Sequence, residues 1–206
     1  MGRVRGKDWM QEHVADAFVR KARAEGMRSR AAYKLAQIAG RDRLLGPGMV
    51  VVDLGAAPGG WSQVAARRTG PRGRVIAIDM LEMTPVPGVT FIRGDLRDVS
   101  VIAELERALA GSKADLVLSD MAPNLSGIAA VDQARALELA ELARDFALKQ
   151  LKLQGNFLVK AFQGAGYEGF LKGLKTRFQS VAARKPEASR SRSSEVYLLA
   201  QGLRDE

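Results

Sequence analysis

Four charged residues in this chain are placed where chemistry could use them. Lys160 closes the apolar run Phe-Leu-Val-Lys-Ala-Phe, Asp120 opens Asp-Met-Ala-Pro-Asn124, Glu195 opens Glu-Val-Tyr, and Lys34 lies in Arg-Ser-Arg-Ala-Ala-Tyr-Lys-Leu. A lysine that ends a buried strand must reach solvent along its own stem or find a partner. An ordinary lysine titrates near 10.4 and is a poor base at neutral pH, so burial and a nearby cation would have to lower that value before it could take a proton. Carboxylates beside it would oppose that shift while orienting the ammonium. The plain alternative is a salt-bridge cluster that staples strand ends.

The second chemical feature is the loop Asp53-Leu-Gly-Ala-Ala-Pro-Gly-Gly-Trp61. Gly55, Gly59 and Gly60 would let a ligand approach the backbone closely. The spacing is not G-x-G-x-x-G, and Pro58 removes an N–H that a pyrophosphate cradle would want, so a dinucleotide site is a poor match. Asp53 beside the loop suits a ligand with a cationic end, such as the ammonium and sulfonium of S-adenosylmethionine. Asp79 could accept both hydroxyls of a ribose, and Asp95 could accept from an adenine amino group. Any one of these acids alone reads as a helix or turn cap. Three at successive strand ends beside a glycine-rich loop favour a nucleoside ligand.

Residues so placed need a sheet to align them. Strands are expected at 49–54, 74–78, 89–92, 115–119, 156–160, 180–184 and 195–200, and helices at 8–25, 30–40, 59–68, 99–109, 131–153 and 167–178. Strands alternating with helices predict a doubly wound, mostly parallel, seven-stranded Rossmann-like sheet with helices on both faces. The last two strands have only a loop between them, so they should form an antiparallel edge hairpin.

The length, 206 residues, suits a single domain: a basic helical segment over 1–48 and a catalytic sheet over 49–206. The net charge is +9, and residues 1–48 hold eleven Lys/Arg against five Asp/Glu. That asymmetry suggests a polyanion partner, against the alternative of a merely solvated basic face. There is no cysteine, which rules out disulfides and thiolate chemistry. No apolar run approaches the ~20 residues that span a bilayer, and no signal-peptide pattern follows the basic start.

The segments R-S-R-A-A-Y-K-L (28–35), V-V-D-L-G-A-A-P-G-G-W-S-Q (51–63), S-D-M-A-P-N (119–124), V-K-A-F-Q-G (159–164) and K-P-E-A-S-R-S-R-S-S-E-V-Y (185–197) together resemble the FtsJ/RrmJ (RlmE-type) family of large-subunit ribosomal RNA 2′-O-ribose methyltransferases. The likeness runs in order over nearly the whole chain. It implies a Lys34-Asp120-Lys160-Glu195 tetrad and S-adenosylmethionine contacts at Gly59, Trp61, Asp79, Asp95 and Asp120. It further implies a uridine 2′-hydroxyl of the large-subunit RNA as target. Ser194 departs from an arginine that the family allows there, which bears on local RNA contacts more than on chemistry.

In methyl transfer to a ribose hydroxyl, the sulfonium methyl is already activated. The enzyme must align the two groups and remove a proton. Lys160 is assigned as base or hydroxyl activator, Asp120 as its orienter, and Lys34 and Glu195 as support. Arg28, Arg30, Arg190 and Arg192 are candidate phosphate-binding forks. Tyr197 faces the same side of its strand as Glu195, as a wall of the acceptor pocket or RNA contact, or as a core residue. Trp9 and His13 read as packing or surface residues, and no metal site is expected. A cytoplasmic monomer acting on ribosomal RNA in the assembled or assembling large subunit is the expectation. A sibling acting on tRNA or an mRNA cap, and an RNA-binding assembly factor without catalysis, are the competing classes.

Overall fold

The computed structural model describes residues 17–189 and 193–205. Its elements run α1 (Ala17–Ala24), α2 (Ala31–Asp42), β1 (Val50–Leu54), α3 (Gly60–Thr69), β2 (Arg74–Asp79), β3 (Val89–Arg93), α4 (Val99–Leu109), β4 (Ala114–Ser119), α5 (Ala129–Gln150), β5 (Leu151–Phe162), α6 (Tyr167–Arg177), β6 (Phe178–Arg184) and β7 (Glu195–Leu203). The seven strands lie in the order β3-β2-β1-β4-β5-β7-β6. β1 to β5 pair in parallel, while β7 is antiparallel to both β5 and β6.

The two-residue period of a strand sorts side chains onto two faces, and each face has its own core. Val50, Val52 and Leu54 of β1 pack with Val101 and Leu105 of α4, Phe146 of α5 and Phe170 of α6. Val51, from the same strand, joins Leu35 and Ile38 of α2 and Trp61 and Val64 of α3. β1 is buried at every position, which is why it reads as an unbroken apolar run.

The long helix ends at Gln150, not Leu153, because Leu151 already pairs with Ala114 of β4. The strand is then interrupted: Gln154 takes a left-handed φ of 66° next to Gly155, and the register shifts before Asn156 resumes pairing with Leu116. Helical periodicity cannot see this junction, because the Leu-Lys-Leu spacing of 151–153 also continues the apolar face of the helix. The expected helix over 8–25 is described only from Ala17, so Trp9 and His13 lie outside the described residues.

Candidate active site

Strand register brings three of the four charged residues to one place. Lys160 is the register partner of Tyr197, and Phe162 that of Glu195, across the β5–β7 ladder. Leu158 and Leu199 on these strands belong to the core beneath α2 and α3, so Lys160, Tyr197 and Glu195, at even spacings from them, share that face. Asp120 directly follows β4, and its N–H donates to the Leu54 carbonyl at the end of β1. Lys34 comes from α2, one helical turn before Ile38, and so from the side of the helix that meets the sheet.

The side chains join in a continuous chain. Lys160 Nζ donates to the Asp120 backbone carbonyl (2.5 Å) and lies 3.1 Å from Asp120 Oδ1. The Tyr197 hydroxyl donates to the same Oδ1 (2.8 Å) and accepts from Lys34 Nζ (3.0 Å). Lys34 Nζ also meets Glu195 Oε1 at 2.6 Å, and Ser189 Oγ donates to that oxygen at 3.0 Å. Lys160 is buried, at 8% exposure, and Tyr197 is fully so. Burial would raise the Glu195 pKa, but the ammoniums of Lys34 and Lys160, with hydrogen bonds from Lys34 and Ser189, hold it below the ordinary carboxylate value. Burial raises the Tyr197 hydroxyl pKa strongly, and the carboxylates of Asp120 and Glu195 add to the shift, so it remains a neutral donor.

Beside this chain a cleft of about 370 Å³ opens over the carboxyl ends of β1, β2, β3 and β4. That volume lies in the range of small-ligand sites, and the position is where open α/β sheets bind ligands. Asp79, Asp95 and Asp120 line it, with Gly55 and the apolar Leu54 and Leu96. Asp79 Oδ1 accepts the Leu81 N–H (2.8 Å) and its Oδ2 accepts the Ala57 N–H (2.9 Å), which fixes the carboxylate and leaves lone pairs for a ligand. Asp95 Oδ1 accepts the Arg97 N–H (2.9 Å). Gly55 has a φ of 71°, and a Cβ there would lie 2.6 Å from Met121 Cγ.

The family pattern of FtsJ-like methyltransferases matches residues 27–203. The chain belongs to this family. It is 62% identical over 198 residues to the ribosomal RNA large subunit methyltransferase E of Azoarcus sp. (strain BH72), covering 96% of this chain and 97% of that protein. It is 58% identical over 199 residues to the protein of the same name from Nitrosospira multiformis, with 97% of each covered. A crystal structure from Plasmodium falciparum, given as a ribosomal RNA methyltransferase, is similar with a TM-score of 0.78 at 31% identity, over 85% of this chain and 98% of that one.

As an FtsJ-like methyltransferase the protein uses S-adenosylmethionine, and the cleft fits it. Three carboxylates line the cleft, an arrangement that favours a cationic nucleoside over a phosphorylated one. Asp79 would hold the ribose and Asp95 the adenine amino group. Met80 and Leu81, largely exposed at 64% and 68%, offer apolar surface beside the cleft; sequence patterning singled out neither.

Several expected site residues are placed differently in this FtsJ-like chain. Asp53 does not line the cleft. It is fully buried on the α3 side of β1, its Oδ2 accepts from Ser62 Oγ (2.6 Å), and its Oδ1 has no hydrogen-bond partner. Desolvation raises its pKa to about 7, against the lowering effect of the Ser62 bond, and the carboxylates of Asp120 and Asp79 push it the same way. Trp61 is also behind the cleft, 2% exposed, with its indole N–H donated to the Ala31 carbonyl (2.8 Å) and its ring 5.5 Å from that of Tyr197. Gly59 faces away too, toward Met83, Val86 and Arg28, because the chain after Ala57 turns into α3, which packs on α2.

Tyr197 is a core residue that bridges the tetrad, so full burial excludes it as an RNA contact. The guanidinium of Arg28 is occupied by the carbonyls of Pro58, Thr84 and Pro85 and the Thr84 hydroxyl, and that of Arg30 reaches the Ala188 carbonyl. Neither is the open phosphate fork that its position in a basic segment suggested. Arg190 and Arg192 lie outside the described residues. Ser189 was not foreseen, since a buried serine in a loop carries no periodic signal.

Proposed function

We propose that this enzyme methylates the 2′-hydroxyl of a uridine in 23S ribosomal RNA of the large subunit, with Lys160 as base or hydroxyl activator. The observation that carries the reading is the joined Lys34–Tyr197–Asp120–Lys160 chain, whose Asp120 also lines the cofactor cleft. One carboxylate thus borders both the methyl donor's site and the lysine that would meet the acceptor. The identity of the close relatives as large-subunit ribosomal RNA methyltransferases supports the substrate class.

S-adenosylmethionine supplies an activated methyl group when bound. The protein's share is alignment and proton management. Asp120 fixes the Lys160 ammonium through two oxygens, backbone and side chain. The Lys34–Glu195 pair fixes the Tyr197 hydroxyl that in turn holds Asp120. Lys160 would contact the ribose hydroxyl and either take its proton or hold its oxygen in line. Exposed Arg41 puts positive charge on α2, the helix that also carries Lys34, and exposed Arg23 adds to it on α1, the side from which a polyanion would approach.

The test is single-turnover methyl transfer to isolated large subunits, with the modified nucleotide mapped on 23S RNA. Lys160→Ala should lower the rate about 10²–10⁴-fold, the usual worth of a positioned base. S-adenosylmethionine affinity should stay within a few-fold, since Asp120 keeps its bond from Tyr197. Lys160→Arg should not rescue, because a guanidinium stays protonated. A mark on a base atom, or a near-normal rate for Lys160→Ala, would overturn the assignment.

A further inference from the structure

Arg28 stands outside the tetrad and outside the cleft, yet its guanidinium has more intramolecular acceptors than a surface arginine usually gathers. Nη1 donates to the Thr84 carbonyl (2.5 Å), to Thr84 Oγ1 (2.7 Å) and, more weakly, to the Pro58 carbonyl (3.3 Å); Nη2 donates to the Pro85 carbonyl. These acceptors belong to two different segments. Pro58 is in the glycine-rich loop after β1, and Thr84 and Pro85 are in the loop after β2. The same two segments wall the cofactor cleft on its other side, through Gly55 and Ala57 from the first and Asp79, Met80 and Leu81 from the second.

Asp79 ties these walls from within the cleft, by accepting the N–H groups of Ala57 and Leu81. Arg28 ties them from behind. Its own anchorage is firm: its backbone N–H donates to Gln63 Oε1 (3.2 Å), and Gln63 Nε2 donates to the Gly26 carbonyl (2.9 Å), which fixes the 26–28 turn to α3. The space for the side chain is kept by Gly59, where a Cβ would lie 3.1 Å from Arg28 Cδ and 2.8 Å from Met83 Sδ.

We infer that Arg28 is a positioning residue for the cofactor: a clamp that holds the two walls of the S-adenosylmethionine cleft at their working separation, through bonds that no ligand has to form. A planar fork with five N–H donors can bridge three carbonyls and a hydroxyl at once, and an ammonium cannot match that geometry. The inference rests on the cofactor and not on which RNA is methylated.

Three variants test it. Arg28→Met keeps the aliphatic stem and removes the fork, Arg28→Lys keeps the charge, and Thr84→Val removes one acceptor with little change of shape. The KM for S-adenosylmethionine should rise about tenfold in Arg28→Met, the equivalent of one charge-assisted hydrogen bond's worth of preorganisation. kcat at saturating cofactor should change much less. Arg28→Lys should recover only part of the loss, and Thr84→Val should show a smaller rise in the same direction. Titration calorimetry should show the same order in Kd, and the rise in Tm on adding cofactor should shrink accordingly. A general weakening of the fold would lower the Tm of the free protein and leave the cofactor-induced rise intact; that result overturns the clamp. So does an unchanged cofactor affinity accompanied by a log–log salt slope of RNA binding reduced by about 0.7–0.9, the signature of a lost phosphate contact. If Arg28→Met does not fold, Thr84→Val decides by the same measurements.

Discussion

Replacing Asp53 by Asn should make stability respond to pH in a way that isolates one buried carboxyl. Asp53 is fully buried, with one oxygen bonded to Ser62 and the other without a partner, and its pKa is raised from 3.8 to about 7. Below the unfolded value the group is protonated in both states and costs nothing. Between about 4 and 7 the folded chain holds the proton more tightly than the unfolded one, so stability falls as pH rises; above 7 the full penalty is present. At 1.36 kcal/mol per unit, the full shift amounts to about 4 kcal/mol against the folded state. About two of its units lie between pH 5 and pH 7, so the Asn variant should gain about 3 kcal/mol on the parent between pH 5 and pH 8. The amide brings its own offset, since its NH₂ lacks an evident acceptor, at about 1–3 kcal/mol. That offset is constant with pH and cancels in the comparison. Urea unfolding of both chains at pH 5, 6, 7 and 8, with equal m-values as the control, measures it. Stability curves that run parallel, differing by less than about 1 kcal/mol in their change with pH, would refute the account of an ionisable carboxyl in a dry site.

Asp79→Ala should weaken S-adenosylmethionine binding by about 1.5–3 kcal/mol, the worth of hydrogen bonds to a charged acceptor, and calorimetry that finds unchanged affinity would remove it from the ribose site. Gly55→Ala should also lose cofactor binding, because the residue sits at φ 71° and the added Cβ would lie 2.6 Å from Met121 Cγ; a thermal melt would separate loss of the site from loss of the fold.

The sheet was legible because most of its strands are apolar runs that carry a single polar residue at or near the carboxyl end, although β5 spans Leu151–Phe162 and runs two residues past Lys160, beyond the expected 156–160. Asp79, Lys160 and Asp120 mark the carboxyl edge by type alone, and the short 185–194 connection foretold the antiparallel ending. What the sequence hid is direction. Asp53 and Leu54 are adjacent in β1, yet Leu54 borders the cleft while Asp53 points beneath α3, a difference decided by which face the helix covers. The family resemblance implied a ligand contact at Trp61, but the glycines before it lead into a helix packed on α2, and that packing takes its ring. Arg28 and Arg30 looked like RNA forks because basic residues cluster there; charge counts do not reveal carbonyls within reach. Tyr197 was ambiguous by parity alone; the register sets it opposite Lys160, and the bonds of its hydroxyl with Asp120 and Lys34 close the network.

β7 comes last of the seven strands along the chain but lies between β5 and β6 in the sheet. It carries Glu195 and Tyr197, and the Lys34–Glu195 contact spans 161 positions of sequence. As the polypeptide leaves the ribosome, everything through β6 is made before the strand that joins β6 to the rest. Until then β5 presents an open hydrogen-bonding edge, a template for pairing with other chains, and closing so distant a contact is slow. The nascent chain therefore passes through a stage in which the cofactor cleft can form but Asp120 lacks its tyrosine and Lys34 its glutamate. On the proposed role of this network, catalytic competence would arrive together with the covering of that edge, and a chain stalled before β7 would be prone to aggregate.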